Sequence, residues 1–287
     1  MDTLKIGKGN DKEQVVILQR LLQRCGYALL VDGAFGAKTA KVVKTFQKKG
    51  GLVVDGIVGK EVWNALFSDP LIVGLEIIGI DVSHYESNVD WQGLFNDVNH
   101  CYAFGFAKGT SGAVGKDPSF GMHWANMKSS HFVRGVYHFM DMLNFDIESQ
   151  VQNFLSLGID FKERGVLAPV LDIEQSHAGD DAAIILNKDR IVINILTWLT
   201  EVEQATGVQP IIYVNRNTWD NLLLSPKGFE GYLLWVASYV DAPSPVMPSG
   251  WVNWTLWQYA ANDGNPGGYD LNRLDGEYFD LLFLAGY

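Results

Sequence analysis

From residue 76 onward, short runs rich in β-branched and aromatic residues alternate with segments of helical periodicity. Such alternation is typical of parallel strands joined by crossover helices, and a segment of this length favours a barrel. Because few helical residues separate the last runs, the predicted fold class is α/β with an irregular (β/α) barrel. The predicted strands are 77–82, 102–108, 133–139, 166–173, 210–214, 232–238 and 254–259, and the clearest predicted helices are 146–157 and 182–206.

The first 68 residues are organised around a short internal repeat. An Asp-Gly-x-x-Gly sequence beginning at Asp32 recurs 23 residues later, beginning at Asp55. In both copies Asp-Gly is typical of a turn, and the second glycine is expected to take positive φ where a helix begins. Apolar residues at spacings of three and four predict a helix over 11–25, and helical patterns follow the two turns over 39–47 and 61–67. The sequence therefore predicts a small three-helix domain in front of the barrel.

The two parts of the chain carry opposite net charge. Residues 1–68 hold 11 Lys and Arg against 6 Asp and Glu, whereas residues 69–287 hold 11 against 27. A basic first domain is attracted to polyanions such as nucleic acid, anionic wall polymer or anionic lipid, through a screened interaction that does not depend on sequence. The strongly acidic second part argues against nucleic acid as a partner.

The start of the chain lacks the apolar core of a secretory signal. The longest apolar run, 71–80, is interrupted by Glu76 and is too short to cross a bilayer. We therefore expect synthesis in a cytoplasm without a signal peptide, and no integral membrane segment. Cys25 and Cys101 lie in different parts of the chain, so two buried thiols are expected rather than a disulfide.

Acidic side chains recur at the predicted strand ends, where α/β barrels carry their functional residues. Asp81 ends the first strand, Asp172 and Glu174 end the fourth, and Asp270 lies near the last. Two residues apart on a strand, Asp172 and Glu174 project from the same face. Two like charges buried so close are costly unless one carboxyl keeps its proton, and a protonated carboxyl can donate to a leaving oxygen. The same pattern also fits a solvated strand end or a metal site.

Other chemistries have less support in the sequence. The six histidines show no metal-ligand spacing, and there is no glycine-rich phosphate loop, Ser-His-Asp order or Cys-x-x-Cys pair. We therefore expect neither a metal nor a cofactor. Aromatic residues are numerous, and three tryptophans cluster near the last predicted strand, at Trp251, Trp254 and Trp257. Sugar rings pack their C–H faces on such side chains, so the aromatic content favours a carbohydrate site.

The first domain resembles the peptidoglycan-binding domain that accompanies many wall hydrolases. The resemblance covers nearly all of residues 4–67 and implies that residues 1–68 bind bacterial peptidoglycan, with a linker over 69–75. Because the matching residues are mostly structural, it identifies no ligand contact, and a generic helical bundle with glycine turns is the alternative. The matching pieces are Leu18-Gln19-x-x-Leu22, Gly26-Tyr27, the two Asp-Gly-x-x-Gly turns, Phe46-Gln47 and Trp63-x-x-Leu66.

Residues 76–287 resemble glycoside hydrolase family 25, the lysozymes of phages, bacteria and some fungi. One departure is visible, because the family often has Glu after the threonine of the second motif where this chain has Ser111, and we assign that position no role. The matching pieces run in family order: Gly-Ile-Asp81-Val-Ser, Lys108-Gly-Thr110, Gly135-Val-Tyr137-His138-Phe139, Pro-Val-Leu-Asp172-Ile-Glu174, Ile212-Tyr213 with Trp219, Leu234-Trp235-Val-Ala-Ser-Tyr239, Leu256-Trp257-Gln258-Tyr259 and Asp270-Leu-Asn272.

The resemblance implies a muramidase that hydrolyses the β-1,4 bond between N-acetylmuramic acid and N-acetylglucosamine with retained configuration. It implies that Glu174 is the general acid, that Asp172 orients an attacking 2-acetamido group of the substrate, and that Asp81 and Asp270 tune the charge of the cleft. Strand spacing alone does not decide the stereochemistry, since retaining carboxyl pairs lie about 5–5.5 Å apart and inverting pairs about 6.5–9.5 Å apart. The expected substrate-binding residues are Lys108, Tyr137, Tyr213, Trp235, Tyr239, Trp257 and Gln258.

Other functions stay open beside an active muramidase. A catalytically silent wall-binding protein is disfavoured by the intact acidic set, and another glycosidase such as a chitinase is disfavoured by the peptidoglycan-binding resemblance. Among muramidases we expect a phage endolysin, made in the host cytoplasm and acting on the cell wall after release through a holin-type membrane lesion. A bacterial autolysin or an exported antibacterial effector is the alternative.

Overall fold

The structure, a computed structural model, describes residues 1–261 and 268–287. These residues form two compact units. The first unit holds residues 1–76, 277–280 and 287, and the second holds residues 77–276 and 281–286. The sequence-based domain limits of 1–68, 69–75 and 76–287 stay predictions.

Residues 1–76 of the first unit contain three helices: α1 (Lys12–Arg24), α2 (Ala37–Lys49) and α3 (Lys60–Phe67). α1 begins where the side chain of Asp11 accepts a hydrogen bond from the backbone N–H of Gln14, as is preferred at a helix N-cap. The predicted helices are confirmed, and the structural bounds differ from the predicted ones by at most two residues. The helices bury one apolar face each, with core residues that include Val15, Leu18, Leu22, Val43, Phe46, Val62 and Leu66.

A glutamine of the preceding helix holds each Asp-Gly turn of the repeat. Gln19 donates from Nε2 to Oδ1 of Asp32 at 2.8 Å, and its Oε1 accepts the N–H groups of Asp32 and of the next glycine at 3.0 and 2.8 Å. Gln47 donates from Nε2 to Oδ1 of Asp55 at 2.8 Å, and its Oε1 accepts the N–H of the following glycine at 2.8 Å. Each copy of the repeat is therefore a turn that follows a helix and is held by the side-chain amide of a glutamine of that helix.

The glycines of the repeat have different roles from those expected. The first glycine of each turn, Gly33 or Gly56, has positive φ (+71° and +78°) and needs to be glycine for that reason. The second glycines, Gly36 and Gly59, are the N-caps of α2 and α3 and have φ of −95° and −98°. The prediction of positive φ at the second glycine is wrong, because an N-cap residue has extended backbone.

The second unit is a closed barrel. Strands β1, β2 and β4 to β8 are parallel neighbours, and β9 pairs antiparallel with both β8 and β1 and so closes the barrel. β3 forms a short hairpin with the end of β2. The strands are β1 (Ile77–Val82), β2 (Cys101–Ser111), β3 (Gly115–Lys116), β4 (Val133–Phe139), β5 (Val170–Ile173), β6 (Ile211–Asn215), β7 (Leu234–Ala237), β8 (Leu256–Ala260) and β9 (Asp270–Leu274).

All seven predicted strands are present, and the prediction of an irregular barrel is confirmed. β1 and β4 have the predicted bounds, whereas the strand predicted over 166–173 is shortened to Val170–Ile173. β9 was recognised only as a motif near the last strand, because its polar sequence Asp-Leu-Asn-Arg-Leu has little β propensity. The irregularity follows from β9, since a strand that runs antiparallel to both neighbours replaces the last parallel strand of a regular barrel.

Five further helices follow in the part of the chain that the structure describes, and their packing fixes which strand residues face the barrel interior. Leu171 and Ile173 of β5 belong to the same buried apolar cluster as Ile191 and Ile195 of α7, so Asp172 between them faces the interior. Among the described residues no helix is both long and apolar enough to span a membrane. The helices are α4 (Trp91–Phe95), α5 (Phe120–Ser129), α6 (Ile147–Leu155), α7 (Asp181–Thr206) and α8 (Tyr278–Leu284), with a π-helical turn at Asn217–Leu222.

Candidate active site

A narrow pocket of about 80 Å³ opens at the carboxyl ends of the parallel strands and continues into a cleft of about 530 Å³. Because β9 runs antiparallel, its first residue Asp270 lies at this same end of the barrel. The pocket brings together the four acidic residues singled out in the sequence and four of the expected sugar-binding residues. Its lining residues are Asp81, Tyr137, Asp172, Glu174, Tyr213, Trp235, Gln258 and Asp270.

Asp172 and Glu174 form the acidic side of the pocket at the end of β5. The side chain of Asp172 is buried, and its Oδ1 has no hydrogen-bond partner among the described residues. Burial raises the pKa of Asp172 well above its ordinary value, and the charge of Glu174 adds to the rise. Burial also raises the pKa of Glu174. A pair of this kind holds a proton at pH values where an exposed carboxyl has lost it, as proton donation requires.

Asp81 and Asp270 face this pair from the opposite part of the barrel, on the paired strands β1 and β9. Oδ2 of Asp81 accepts hydrogen bonds from Nε2 of Gln258 at 2.8 Å and from Nδ2 of Asn272 at 2.7 Å. Burial raises the pKa of Asp81 to about 8 and the nearby Asp270 adds to the rise, while the two amide hydrogen bonds act in the opposite direction. The protonation of Asp81 is therefore set by its burial, by the charge of Asp270 and by the amides of Gln258 and Asn272.

Lys108 lines the wider cleft rather than the narrow pocket. Its Nζ lies 4.3 Å from the centre of the Phe139 ring, a cation–π distance. The positive charge of Lys108 lowers the pKa values of both Asp172 and Glu174, against the effect of burial. Lys108 therefore acts on the electrostatics of the acidic pair from its position in the cleft.

Three of the expected aromatic residues line the pocket. Tyr137, Tyr213 and Trp235 all contribute to its wall. Burial raises the pKa values of both of these phenols well above their ordinary value, so they are neutral. The ring of Trp235 stacks on Phe106 with centroids 4.4 Å apart, so Phe106 covers one face of the indole. Tyr239 is half exposed and reaches Gln258 through its hydroxyl at 2.5 Å.

The structure does not bring Trp257 to the pocket. Its side chain is 1% exposed, its Nε1 donates to the backbone oxygen of Ser238 at 2.7 Å, and its ring contacts Trp254 and Tyr259. Because successive residues of a strand point to opposite faces, Gln258 in the interior places Trp257 on the outer face. Its position corrects the expected sugar contact to a packing role.

Asn272 is buried behind the pocket and supports two residues of its wall, a role that its Asp270-Leu-Asn272 motif did not indicate. Its Oδ1 accepts from the indole N–H of Trp235 at 2.8 Å, and its Nδ2 holds Asp81. The signal that could have identified it is the two-residue period of a strand, since Asn272 follows Asp270 by two positions on β9.

Comparisons with known proteins agree with this geometry. The sequence pattern of the glycosyl hydrolases family 25 matches residues 80–268, and that of a peptidoglycan binding domain matches residues 11–66. The chain is 28% identical over 216 residues to Lysozyme M1 of Streptomyces globisporus, covering 72% of this chain and 70% of that protein. It is 27% identical over 184 residues to the N,O-diacetylmuramidase of Arthroderma benhamiae, covering 63% and 76%. The solved structure of a family GH25 lysozyme from Aspergillus fumigatus superimposes with a TM-score of 0.66 at 27% identity, over 74% of this chain and 100% of that one.

Proposed function

The chain belongs to glycosyl hydrolases family 25 and is a glycoside hydrolase of the lysozyme type, and on this premise we propose that it is a phage endolysin that cleaves the β-1,4 bond between N-acetylmuramic acid and N-acetylglucosamine. The observation that carries the choice of site is the pocket in which Asp172 and Glu174 face Asp81 and Asp270. A hydrolase joined to a peptidoglycan-binding domain supports the bacterial cell wall as the substrate.

In the proposed mechanism Glu174 protonates the glycosidic oxygen as the bond to the anomeric carbon breaks. The carbonyl oxygen of the substrate's 2-acetamido group bonds to that carbon, and the positive charge that develops on the acetamido nitrogen is stabilised by Asp172. The unpartnered Oδ1 of Asp172 supports this role, because it is a buried acceptor available to the acetamido N–H. Glu174 then removes a proton from the water that opens the cyclic intermediate, and the configuration at the anomeric carbon is retained.

The location of the proton is set by burial and by substrate. Burial penalises the charged forms of both Asp172 and Glu174, so the two carboxyls hold a proton as a pair. The mechanism requires the proton on Glu174 when the sugar is bound. The N–H of the bound sugar's neutral acetamido group donates a hydrogen bond to Asp172 and so favours its ionised form, which leaves the shared proton on Glu174, the acid that donates it.

Mass spectrometry of digested peptidoglycan tests the bond that is cleaved. New reducing ends on N-acetylmuramic acid are expected from the wild-type chain and none from Glu174→Gln at the same enzyme concentration. Reducing ends on N-acetylglucosamine would assign a glucosaminidase instead. Released peptides without new reducing ends would point to an amidase, and unchanged walls would point to a silent binding protein.

Lysis from inside a bacterial cell tests the endolysin role. The chain is expressed alone or together with a holin-type protein that opens the inner membrane, with Glu174→Gln as the inactive control. We expect rapid lysis only when the active chain and the lesion are both present. Lysis by the active chain alone would show that it reaches the wall by export, as a bacterial autolysin or an exported effector does.

A further inference from the structure

The side-chain amide of Gln258 makes four hydrogen bonds within the protein. Its Oε1 accepts from the hydroxyls of Tyr213 at 2.8 Å and Tyr239 at 2.5 Å. Its Nε2 donates to Oδ2 of Asp81 at 2.8 Å and to Oδ2 of Asp270 at 3.1 Å. A primary amide offers two lone pairs and two N–H groups, so this set fills its hydrogen-bonding capacity. A sugar atom can bind Gln258 only by displacing one of these partners.

The partners also fix the orientation of the amide. The indole N–H of Trp235 can only donate, so Asn272 turns its oxygen to Trp235 and its NH₂ group to Oδ2 of Asp81, which is therefore an acceptor. The NH₂ group of Gln258 faces this acceptor and Asp270, while its oxygen faces the two phenols. A second series of hydrogen bonds runs in the same direction, because Trp235 donates to Oδ1 of Asn272 and Asn272 donates to Asp81. In both series of hydrogen bonds an aromatic side chain donates to an amide oxygen, and the N–H of that amide donates to an acid. In this order each hydrogen bond strengthens the next.

We propose that Gln258 is a positioning residue that holds Asp81 and Asp270 together as paired acceptors, and that its amide does not bind sugar. The reaction that Gln258 would serve rests on the proposed function, whereas the hydrogen bonds of its amide are observed independently of that function. Two carboxyls that share one nitrogen lie close enough to repel each other when both are charged. The N–H groups between them offset that repulsion and keep both acids in position facing Glu174.

The charges around this amide make it sensitive to an added carboxyl. Burial raises the pKa values of the two phenols, which therefore stay neutral donors over the working pH range. The positive charge of Lys108 lowers the pKa values of Asp172 and Glu174 at the end of β5. The titratable groups that face the amide are Asp81 from β1, Asp270 from β9, Tyr213 from β6, Tyr239 after β7, and Asp172 and Glu174 from β5.

The variant Gln258→Glu tests the proposal through its pH profile. A protonated carboxyl at this position keeps an acceptor for the phenols and one O–H donor for an acid, whereas the ionised form only accepts and repels both acids. The activity of the variant relative to wild type on soluble glycan fragments is expected to fall at least ~10-fold between pH 5 and pH 8. Gln258→Met removes the donor without adding a titratable group, so its lower kcat relative to wild type should vary with pH much less than that of Gln258→Glu, and its KM should be unchanged.

Gln47→Glu is the matched control. It introduces the same carboxyl at a buried glutamine that also donates to an aspartate at 2.8 Å, but in the first unit. Its activity on soluble fragments relative to wild type should stay flat across the same pH range. A flat profile for both Glu variants would overturn the proposal.

Two further results would also overturn it. A KM raised about tenfold at unchanged kcat in Gln258→Met would make the amide a sugar contact, since lost ground-state binding appears in KM. A lowered unfolding temperature with unchanged kcat and KM would make Gln258 a structural residue only.

Unfolding measured without substrate separates this proposal from the proposed function. The introduced carboxyl has a raised pKa when folded, so the stability of Gln258→Glu relative to wild type should be highest at low pH and fall as the pH rises from 5 to 8. An unfolding temperature difference that does not change with pH would count against the placement of Gln258 between two acids. If the wild-type chain releases no muramic acid ends, the proposed function fails while this series still tests Gln258.

Discussion

Gln47 in the first unit and Gln258 in the barrel each donate to an aspartate at 2.8 Å, yet the two aspartates differ in the direction of their pKa shift. Hydrogen bonds from the backbone and from Gln47 lower the pKa of Asp55, which lies at the surface. Burial raises the pKa of Asp81 to about 8 although it accepts two amide hydrogen bonds. The same contact therefore stabilises a charged turn where water is present, and holds a reactive carboxyl in place where water is excluded.

The largest effect is expected where a carboxyl of the barrel carries the chemistry. Glu174→Gln should lower kcat by at least about 100-fold while the chain still folds, because the amide keeps the shape of the side chain but cannot donate the proton. Asp55→Asn changes the corresponding group of the first unit and should leave kcat on soluble fragments unchanged. Initial rates and thermal unfolding of both variants are the measurements. Near-normal wall lysis by Glu174→Gln would remove Glu174 from the role of acid.

Asp172→Asn should also lower activity severely and should change the shape of the pH–rate profile. Removing a neighbouring negative charge lowers the pKa at which Glu174 loses its proton, so the alkaline limb of the profile should move to lower pH. The two limbs report the pair jointly rather than either carboxyl alone. The residual activity across pH is the measurement. An alkaline limb that does not move would show that the two carboxyls are uncoupled.

Deleting residues 1–68 tests whether the first domain contributes to wall binding while the barrel alone carries out the reaction. The basic domain raises the local concentration of enzyme on the wall, so on intact walls at low enzyme concentration the rate should fall by about tenfold or more. The rate on short soluble fragments should change little. Higher salt should narrow the difference if charge contributes, since the Debye length falls from ~10 Å at 0.1 M to ~3 Å at 1 M. An equal loss on both substrates would mean that this segment helps to build the active site.

The smallest effects concern the pH dependence of stability, which should have opposite signs in the two units. The folded barrel keeps a proton on Asp81 up to about pH 8 that the unfolded chain releases near pH ~4, so Asp81 destabilises the barrel as the pH rises through this window. The pKa of Asp32 is lowered, so its contribution is present above pH ~4 and is lost as the pH falls.

Hydrogen exchange resolved by unit, at several pH values, measures both directions in the full chain. Asp81→Asn should reduce the loss of barrel protection between pH 5 and pH 8, with Asp172 and Glu174 responsible for the rest. Asp32→Asn should act on the first unit at acidic pH instead. Identical pH slopes for wild type and Asp81→Asn would show that burial does not set the charge of Asp81.

Most of the architecture could be predicted because periodicity is a local property. The three-residue and four-residue spacing of Val15, Leu18 and Leu22 predicted α1, and a continuous apolar run predicted β1 with its observed bounds. β9 could not be predicted as a strand, because its pairing with β1 and β8 stabilises a segment whose own residues have low strand propensity.

The candidate site divides in the same way. Asp172 and Glu174 were found from the chain itself, because two residues apart on a strand is a local relation. The exclusion of Trp257 from the pocket and the hydrogen bond of Asn272 to Asp81 depend on which face of β8 and β9 meets the interior, and that is decided only when the barrel closes.

The sequence by itself determined the family, the order of helices and strands, and the set of acids at the strand ends, because motifs and spacings are carried by consecutive residues. Only the tertiary structure decided that the amide of Gln258 is filled by two tyrosines and two aspartates, and that Asp81 is protonated more readily than Asp55. Gln258 and its four hydrogen-bond partners come from five separate segments, which meet only in the closed barrel. Burial is likewise a property of the whole fold rather than of any segment, and it is burial that separates a reactive carboxyl from one that holds a turn.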